Sequence, residues 1–245
     1  MRKQLTLLLV LACFAINTYS QKLIEAVEAK DYDAVEKLIA GGEKVNKASK
    51  TGQFPLWAAV WNNDAKMVEL LLKNGANAKQ KLKNKSGAQI SCLGIAAQEG
   101  HLEIAKLLVN AGADVHNRDY AGHTPLRIAA RNGRQELVEY FVSLDAEIDT
   151  RGTDGATPLE HAAGKGHLGI VKFLTEKGAN LNLQDNEGDF PIGEAAREGR
   201  IEVVRYLLSK GADLSLKNKE GRTALDLARI AGQPAIEELL KNGGK

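Results

Sequence analysis

Apolar residues in this chain come in short helical stripes that stop at glycines and start again. Leu126, Ala129 and Ala130 share one face of a helix of about two turns, and after Gly133 a second stripe begins. The second stripe of each pair carries larger residues, as in Ile170, Val171, Phe173 and Leu174. The pairing recurs every 33 residues: GHTPLRIAARNGRQELVEYFVSLDAEI from Gly122, GATPLEHAAGKGHLGIVKFLTEKGANL from Gly155, GDFPIGEAAREGRIEVVRYLLSKGADL from Gly188. Repeats of this length are too small to bury their apolar faces alone and must use their neighbours, which predicts a stacked array of helix pairs.

The boundaries follow from the same pattern. Thr124, Thr157 and Thr223 place a hydroxyl where it caps the free amides of a first helix, and Pro125 and Pro158 follow where a missing N–H costs nothing. Gly100, Gly133, Gly166, Gly199 and Gly232 end the first helices, and Gly112, Gly178 and Gly211 close the second ones. Phe54 and Phe190 stand where the capping Thr is expected, at a cost of about 1 kcal/mol each unless ring packing compensates.

Six units open near Gly52, Gln89, Gly122, Gly155, Gly188 and Gly221, preceded by a degenerate unit from Leu23 to Val45. The recurring Gly-x-Thr-Pro-Leu, Ala-Ala-x-x-Gly and Leu-Leu-x-x-Gly-Ala-Asp/Asn segments resemble the ankyrin repeat. That resemblance implies an all-α, ankyrin-type α-solenoid of helix-turn-helix repeats with projecting β-hairpin finger loops, covering residues 21–245 in about seven repeats. The outer repeats read as caps. The first keeps the apolar residues Leu23, Ala26, Val27, Val35, Leu38 and Ile39, with Lys22, Glu25 and Glu28 on its first helix; the last has Ala224 for Pro and Pro234 near the start of its second helix. The His of the ankyrin Thr-Pro-Leu-His motif is replaced throughout, by Trp57, Gly94, Arg127, Glu160, Gly193 and Asp226, so the loop hydrogen bonds it implies need other donors.

The first twenty residues differ from the rest. Arg2 and Lys3 precede an apolar run from Leu5 to Ile16, and Thr18-Tyr19-Ser20 then offers small residues before Gln21. This predicts a secretory signal over residues 1–20 and an exported chain from Gln21, in the periplasm or outside the cell, with a bacterial envelope as the leading context. Val10-Leu11-Ala12-Cys13 also resembles a lipobox, the alternative being a lipoprotein anchored at Cys13. No second apolar segment is long enough to span a membrane. The chain holds 33 Lys plus Arg against 31 Asp plus Glu, and loss of Arg2 and Lys3 with the signal balances them. Nucleic acid is therefore not expected as a partner. Cys92 alone remains after Cys13, so no internal disulfide is expected.

Chemistry is sparse. The five histidines fall at repeat or loop positions, no Cys/His cluster has metal spacing, and Cys92 takes the place of an opening Pro. Glu160, His161 and Asp154 are the residue types of an acid/base set, but their repeat positions account for them. No catalytic residue, cofactor, metal or small-molecule substrate is assigned.

Binding is the expected function, by a monomer that contacts a protein or peptide. On the resemblance, the variable positions of the concave face carry over to Asn62, Gln98, Glu99, Tyr120, His123, Arg131, Asn132, Lys165, Arg197 and Glu198. From Gly75 to Gly112 the spacing is 37 residues, so one finger is lengthened, and it carries Lys79, Lys81, Lys83 and Lys85 at every second position. In an extended finger all four would point to one side. Trp57 and Trp61, one turn apart, add a candidate aromatic hot spot. Two alternatives belong beside this reading: an inhibitor or immunity protein masking a secreted toxin or hydrolase, and a lipid-anchored structural envelope protein.

Overall fold

The computed structural model describes residues 21–83, 89–119 and 121–243. The expected signal lies outside them. The chain divides into two compact units, the first running to Ala96 and including His101–Asp114, the second made of Ala97–Gly100 and the chain from Val115.

In the first unit, helix α1 (residues 21–28) and α2 (Tyr32–Ala40) precede α3 (Pro55–Trp61), α4 (Ala65–Lys73), strands β1 (Lys81–Lys83) and β2 (Gln89–Ser91), α5 (Cys92–Glu99), whose last turn is assigned to the second unit, and α6 (Leu102–Asn110). β1 and β2 pair antiparallel, Leu82 opposite Ile90, so the lengthened finger is a short hairpin. Helix α4 packs on α3 and on α6. The core of the first repeat is narrower than its pattern suggests: Leu23, Ile24, Val27 and Val35 are buried, whereas Ala26, Leu38 and Ile39 are half-buried. An end repeat has a neighbour on one side only, so part of its stripe stays wet.

The second unit holds α7 (Pro125–Arg131), α8 (Gln135–Ser143), α9 (Pro158–Lys165), α10 (Leu168–Glu176), α11 (Pro191–Arg197), α12 (Ile201–Ser209), α13 (Ala224–Ile230) and α14 (Pro234–Lys241). First helices pack in the order α7, α9, α11, α13, and second helices in the order α8, α10, α12, α14. Ala129, Ala130, Ala162, Ala163, Ala195 and Ala196 are fully buried, the small side chains letting the first helices approach closely. Phe173, expected in the apolar stripe of α10, is only half-buried, and Lys177 Nζ sits 5.7 Å from its ring centre.

Capping follows the pattern. Thr124, Thr157 and Thr223 accept from the backbone N–H of Arg127, Glu160 and Asp226 at 3.3, 3.1 and 3.3 Å, and Asp226 accepts from the Thr223 N–H to complete a capping box. Between repeats, backbone bonds link successive turns: the N–H groups of Thr153, Asn186 and Lys219 donate to Ala121, Asp154 and Glu187 carbonyls one repeat earlier, at 3.0, 2.9 and 2.9 Å. Gly155 shows why the opening residue is glycine, since its φ is +83° and a Cβ there would lie 2.5 Å from Asn186 Oδ1.

Departures from the repeat come as matched pairs. Phe190 caps nothing but is fully buried, and its ring fills the space a side chain at Gly193 would need, 2.9 Å from that Cβ. Arg127, 1% exposed, is matched by Gly152. Where Asp119, Asp185 and Asn218 fold a side chain back onto their own turns, the repeat-equivalent Gly152 leaves room for the guanidinium, whose Cζ would stand 2.8 Å from a Cβ. Arg127 Nε donates to the Ala156 carbonyl at 3.0 Å and Nη2 pairs with Asp154.

Candidate functional site

Two surface features follow from this architecture, one in each unit. In the first, Trp57 and Trp61 on α3 stack with ring centres 5.5 Å apart and planes 14° from parallel. Trp61 is 53% exposed; Trp57 is half-buried and its indole N–H lies buried without an acceptor. Asn62 caps the C-terminus of α3. The hairpin runs beside the turn that opens this repeat: Gly52 comes so close to the Lys83 carbonyl that a Cβ would approach it to 2.6 Å.

Of the four lysines expected in one row, Lys81 and Lys83 lie in β1 and share a face. Lys79 does not join them. It sits in a turn held by the Gln80 N–H donating to Asn77, so the extended stretch is shorter than the alternation suggests. Lys85 lies outside the described residues, as does Tyr120.

In the second unit, α7, α9, α11 and the turns between them enclose a polar pocket of about 280 Å³. Arg131, Lys165, Arg197 and Glu198, all expected on the binding surface, line it. Arg197 is the most engaged, with Nη1 3.1 Å from Asp189, Nη2 2.7 Å from the Glu194 carboxylate and Nε 3.7 Å from Glu198. Gln98, Glu99, His123 and Asn132 do not line it. Gln98 donates to Glu99 at 2.8 Å and accepts from Arg134 through its carbonyl at 2.9 Å; Asn132 caps α7; His123 Nδ1 stands 3.4 Å from Asp119. Burial, reinforced by Arg127, holds the His123 imidazole below its usual range.

Apart from Ala156 and Gly164, the rest of the pocket lining is acidic or imidazole: Asp154, Glu160, His161, Asp185, Asp189 and Glu194. Glu160 is only 4% exposed, and its Oε2 has no hydrogen-bond partner. Burial, with the charges of Asp185, Glu194 and Asp189 added, pushes its carboxyl up to about 9. Glu194 is pushed up to about 7, chiefly by burial and then by Asp189, against the pull of Arg197. His161 is pushed down to about 3 by burial and by Arg127, and its Nε2, without a hydrogen bond, lies 4.0 Å from Asp154. At neutral pH the pocket therefore holds a neutral imidazole and a protonated buried carboxyl. Asp154, despite the opposing effect of burial, is held below the usual carboxylate range by Arg127.

Glu160, His161 and Asp154 were thus individually recognisable as residue types, while the pocket was not. It joins side chains from three repeats, and the one available signal was a carboxylate in the third position of a first helix, where the stripe is buried. Among the described residues no group of three or more His, Cys, Asp or Glu side chains has metal-binding geometry. Cys92 is buried and its thiol is pushed up to about 12 by burial, which disfavours a nucleophilic thiolate. No helix among the described residues is long and apolar enough to cross a membrane.

Comparison with known proteins agrees with this architecture. An 80-residue stretch is 30% identical to Ankyrin repeat and SOCS box protein 3 of Homo sapiens, covering 33% of this chain and 15% of that protein. A stretch of 118 residues is 32% identical to Zygote-specific protein 3 of Chlamydomonas reinhardtii, covering 45% of this chain and 30% of that protein. The matches thus span a third or less of either relative. The description "Ankyrin repeats (3 copies)" matches residues 23–119, 93–185 and 178–245, which together take in nearly all of the described residues. Helix pairs capped and stacked at a 33-residue period and this match along the chain place the protein in the ankyrin repeat family.

Proposed function

We propose that this protein is a non-catalytic binding module that holds another protein through its first helices and finger loops. The family generally serves protein–protein interaction, and the observation that carries the reading to this chain is the exposed Trp61 stacked on Trp57. An indole that is half in water and held rigid by its neighbour contributes large apolar area to a partner at little cost in conformational entropy. Lys81 and Lys83 on the hairpin of the same unit add positive charge suited to steering an acidic partner.

The test is capture of a partner by the tagged chain from Gln21 onward, followed by binding kinetics. Trp61→Ala weakens that complex by about 2 kcal/mol while unfolding stays nearly unchanged. Loss of stability with unchanged affinity of the folded protein would contradict the reading. Neutralising Lys79, Lys81, Lys83 and Lys85 slows association in a salt-dependent way, with less effect on dissociation.

The same proposal includes export. The apolar run from Leu5 to Ile16 behind Arg2 and Lys3 supports cleavage after Ser20. N-terminal sequencing of the fractionated protein expects Gln21; an intact Met1 in a cytoplasmic fraction would refute export, and a lipidated Cys13 would place the protein on a membrane surface.

A further inference from the structure

We propose that the pocket between α9 and α11 receives a basic side chain of the protein partner, an arginine guanidinium or lysine ammonium that ion-pairs with Glu160. The inference deepens the binding function proposed above and rests on it, naming what the partner presents to the second unit.

Three observations converge. The pocket is a formed concavity of about 280 Å³, large enough for a cationic head and part of its aliphatic stem. Its acidic walls come from separate elements: Glu160 from α9, Asp185 and Asp189 from the turn before α11, and Glu194 from α11. Within it Glu160 is buried with Oε2 unpartnered, although buried carboxyl groups in folded proteins are nearly always hydrogen-bonded or paired.

The resident cations do not meet this need. Arg127 is committed to Asp154 and the Ala156 carbonyl, and Arg197 to Asp189, Glu194 and Glu198. Arg131 and Lys165 are exposed at the rim, where water and salt screen them. His161 next to Glu160 is neutral at physiological pH and brings no charge.

Ionising Glu160 before the partner binds is costly because its carboxyl is buried and faces Asp185, Asp189 and Glu194. Its proton therefore stays on until an opposite charge arrives. A guanidinium or ammonium entering the pocket removes the cost and forms a charge-assisted hydrogen bond to the bared carboxylate. One proton leaves for solvent as the ion pair forms. Affinity accordingly rises with pH up to about 9, where Glu160 is already ionised in the free protein. Below about 7, protonation of Glu194 weakens the acidic wall and works in the same direction.

The experiment titrates the full mature chain with Nα-acetyl-arginine amide, Nα-acetyl-lysine amide and the neutral isostere Nα-acetyl-citrulline amide. It follows the carbon-13 resonance of the Glu160 carboxyl and, by calorimetry in two buffers of different ionisation enthalpy, the protons released. At least one cationic probe is expected to saturate the Glu160 shift and release a proton, with citrulline at least about tenfold weaker. Glu160→Gln is expected to weaken the cation by a similar factor and to match wild type in thermal unfolding at about pH 5, where both chains hold a neutral side chain in the folded state, because Gln is shaped like the protonated carboxyl it replaces. The proposal is overturned by absence of a saturable shift with both cations, by citrulline binding as well as arginine, or by undiminished affinity in Glu160→Gln. The probes need no partner protein, so such a failure removes the basic side chain and leaves the Trp61 surface to be judged by its own binding kinetics.

Discussion

Arg127 and Glu160 occupy the same place in successive repeats, the third residue of the first helix, and both are buried. Arg127 has what a buried charge requires. Asp154 faces it, the Ala156 carbonyl accepts its Nε–H, and Gly152 clears the space its guanidinium fills. Glu160 meets Asp185, Asp189 and Glu194 instead, and one of its oxygens bonds nothing. The scaffold around the two is the same. A repeat therefore tolerates a charge at this position when the next repeat answers it, and where the answer is missing the position is left with unmet binding capacity, which is how a uniform array acquires a local site.

The largest effect expected that does not depend on pH near neutrality is on the answered side. Asp154→Ala strands the Arg127 guanidinium and should cost about 3 kcal/mol of stability in the second unit, the low end of the range for broken buried pairs because Asp154 is itself 48% exposed. Urea unfolding measures it, and a loss below about 1 kcal/mol would show that the pair is not what holds Arg127. Gly152→Asp restores the turn residue found in the neighbouring repeats but drives a Cβ into the guanidinium, at a cost of about 1–3 kcal/mol. Adding Arg127→His should recover part of that loss, and no recovery would mean that the two positions are not coupled.

On the unanswered side the effect depends on pH. A carboxyl whose pKa is raised on folding keeps a proton that the unfolded chain has released, so its contribution is full below the ordinary Glu range and declines as pH rises, until the folded group ionises at about 9. Wild type should lose up to about 1.4 kcal/mol per pH unit from this group within that window. Glu160→Gln should match wild type at about pH 5 and exceed it near about pH 8, with the remaining slope up to about 7 belonging to Glu194. Parallel curves for the two proteins would return Glu160 to an ordinary carboxylate.

The smallest stability effect belongs to the first unit. Trp61→Ala should stay within about 0.5 kcal/mol of wild type in unfolding, since half of the side chain is already in water. Trp57→Ala should cost more, because that ring is half-buried beneath its neighbour. Equal losses would show that both rings serve packing.

What the sequence conveyed and what it withheld divide along the same line. Local rules were legible: the caps at Thr124, Thr157 and Thr223, the buried Cys92, and the positive φ of Gly100, Gly133, Gly166, Gly199 and Gly232 all follow from neighbours within a few positions. The pairings Arg127 with Gly152 and Phe190 with Gly193 were visible only as departures, since what answers each is fixed by stacking or by ring orientation. The pocket was hardest to see. Glu160, Asp189 and Glu194 look like solvated charges in a linear reading, and only the close approach of α9 to α11 makes them neighbours in one pocket. In the finger, alternation of lysines gave the strand but not its start, because the turn through Lys79 is set by Asn77 and Gln80.

The comparison stands or falls on the protonation of one side chain. A carbon-13 titration of the Glu160 carboxyl in the unliganded mature protein, assigned through Glu160→Gln, reads it directly. The account predicts a midpoint of about 9, well above the ordinary glutamate range. A midpoint in the ordinary carboxylate range would show that Glu160 is already compensated, and the difference between it and Arg127 would disappear.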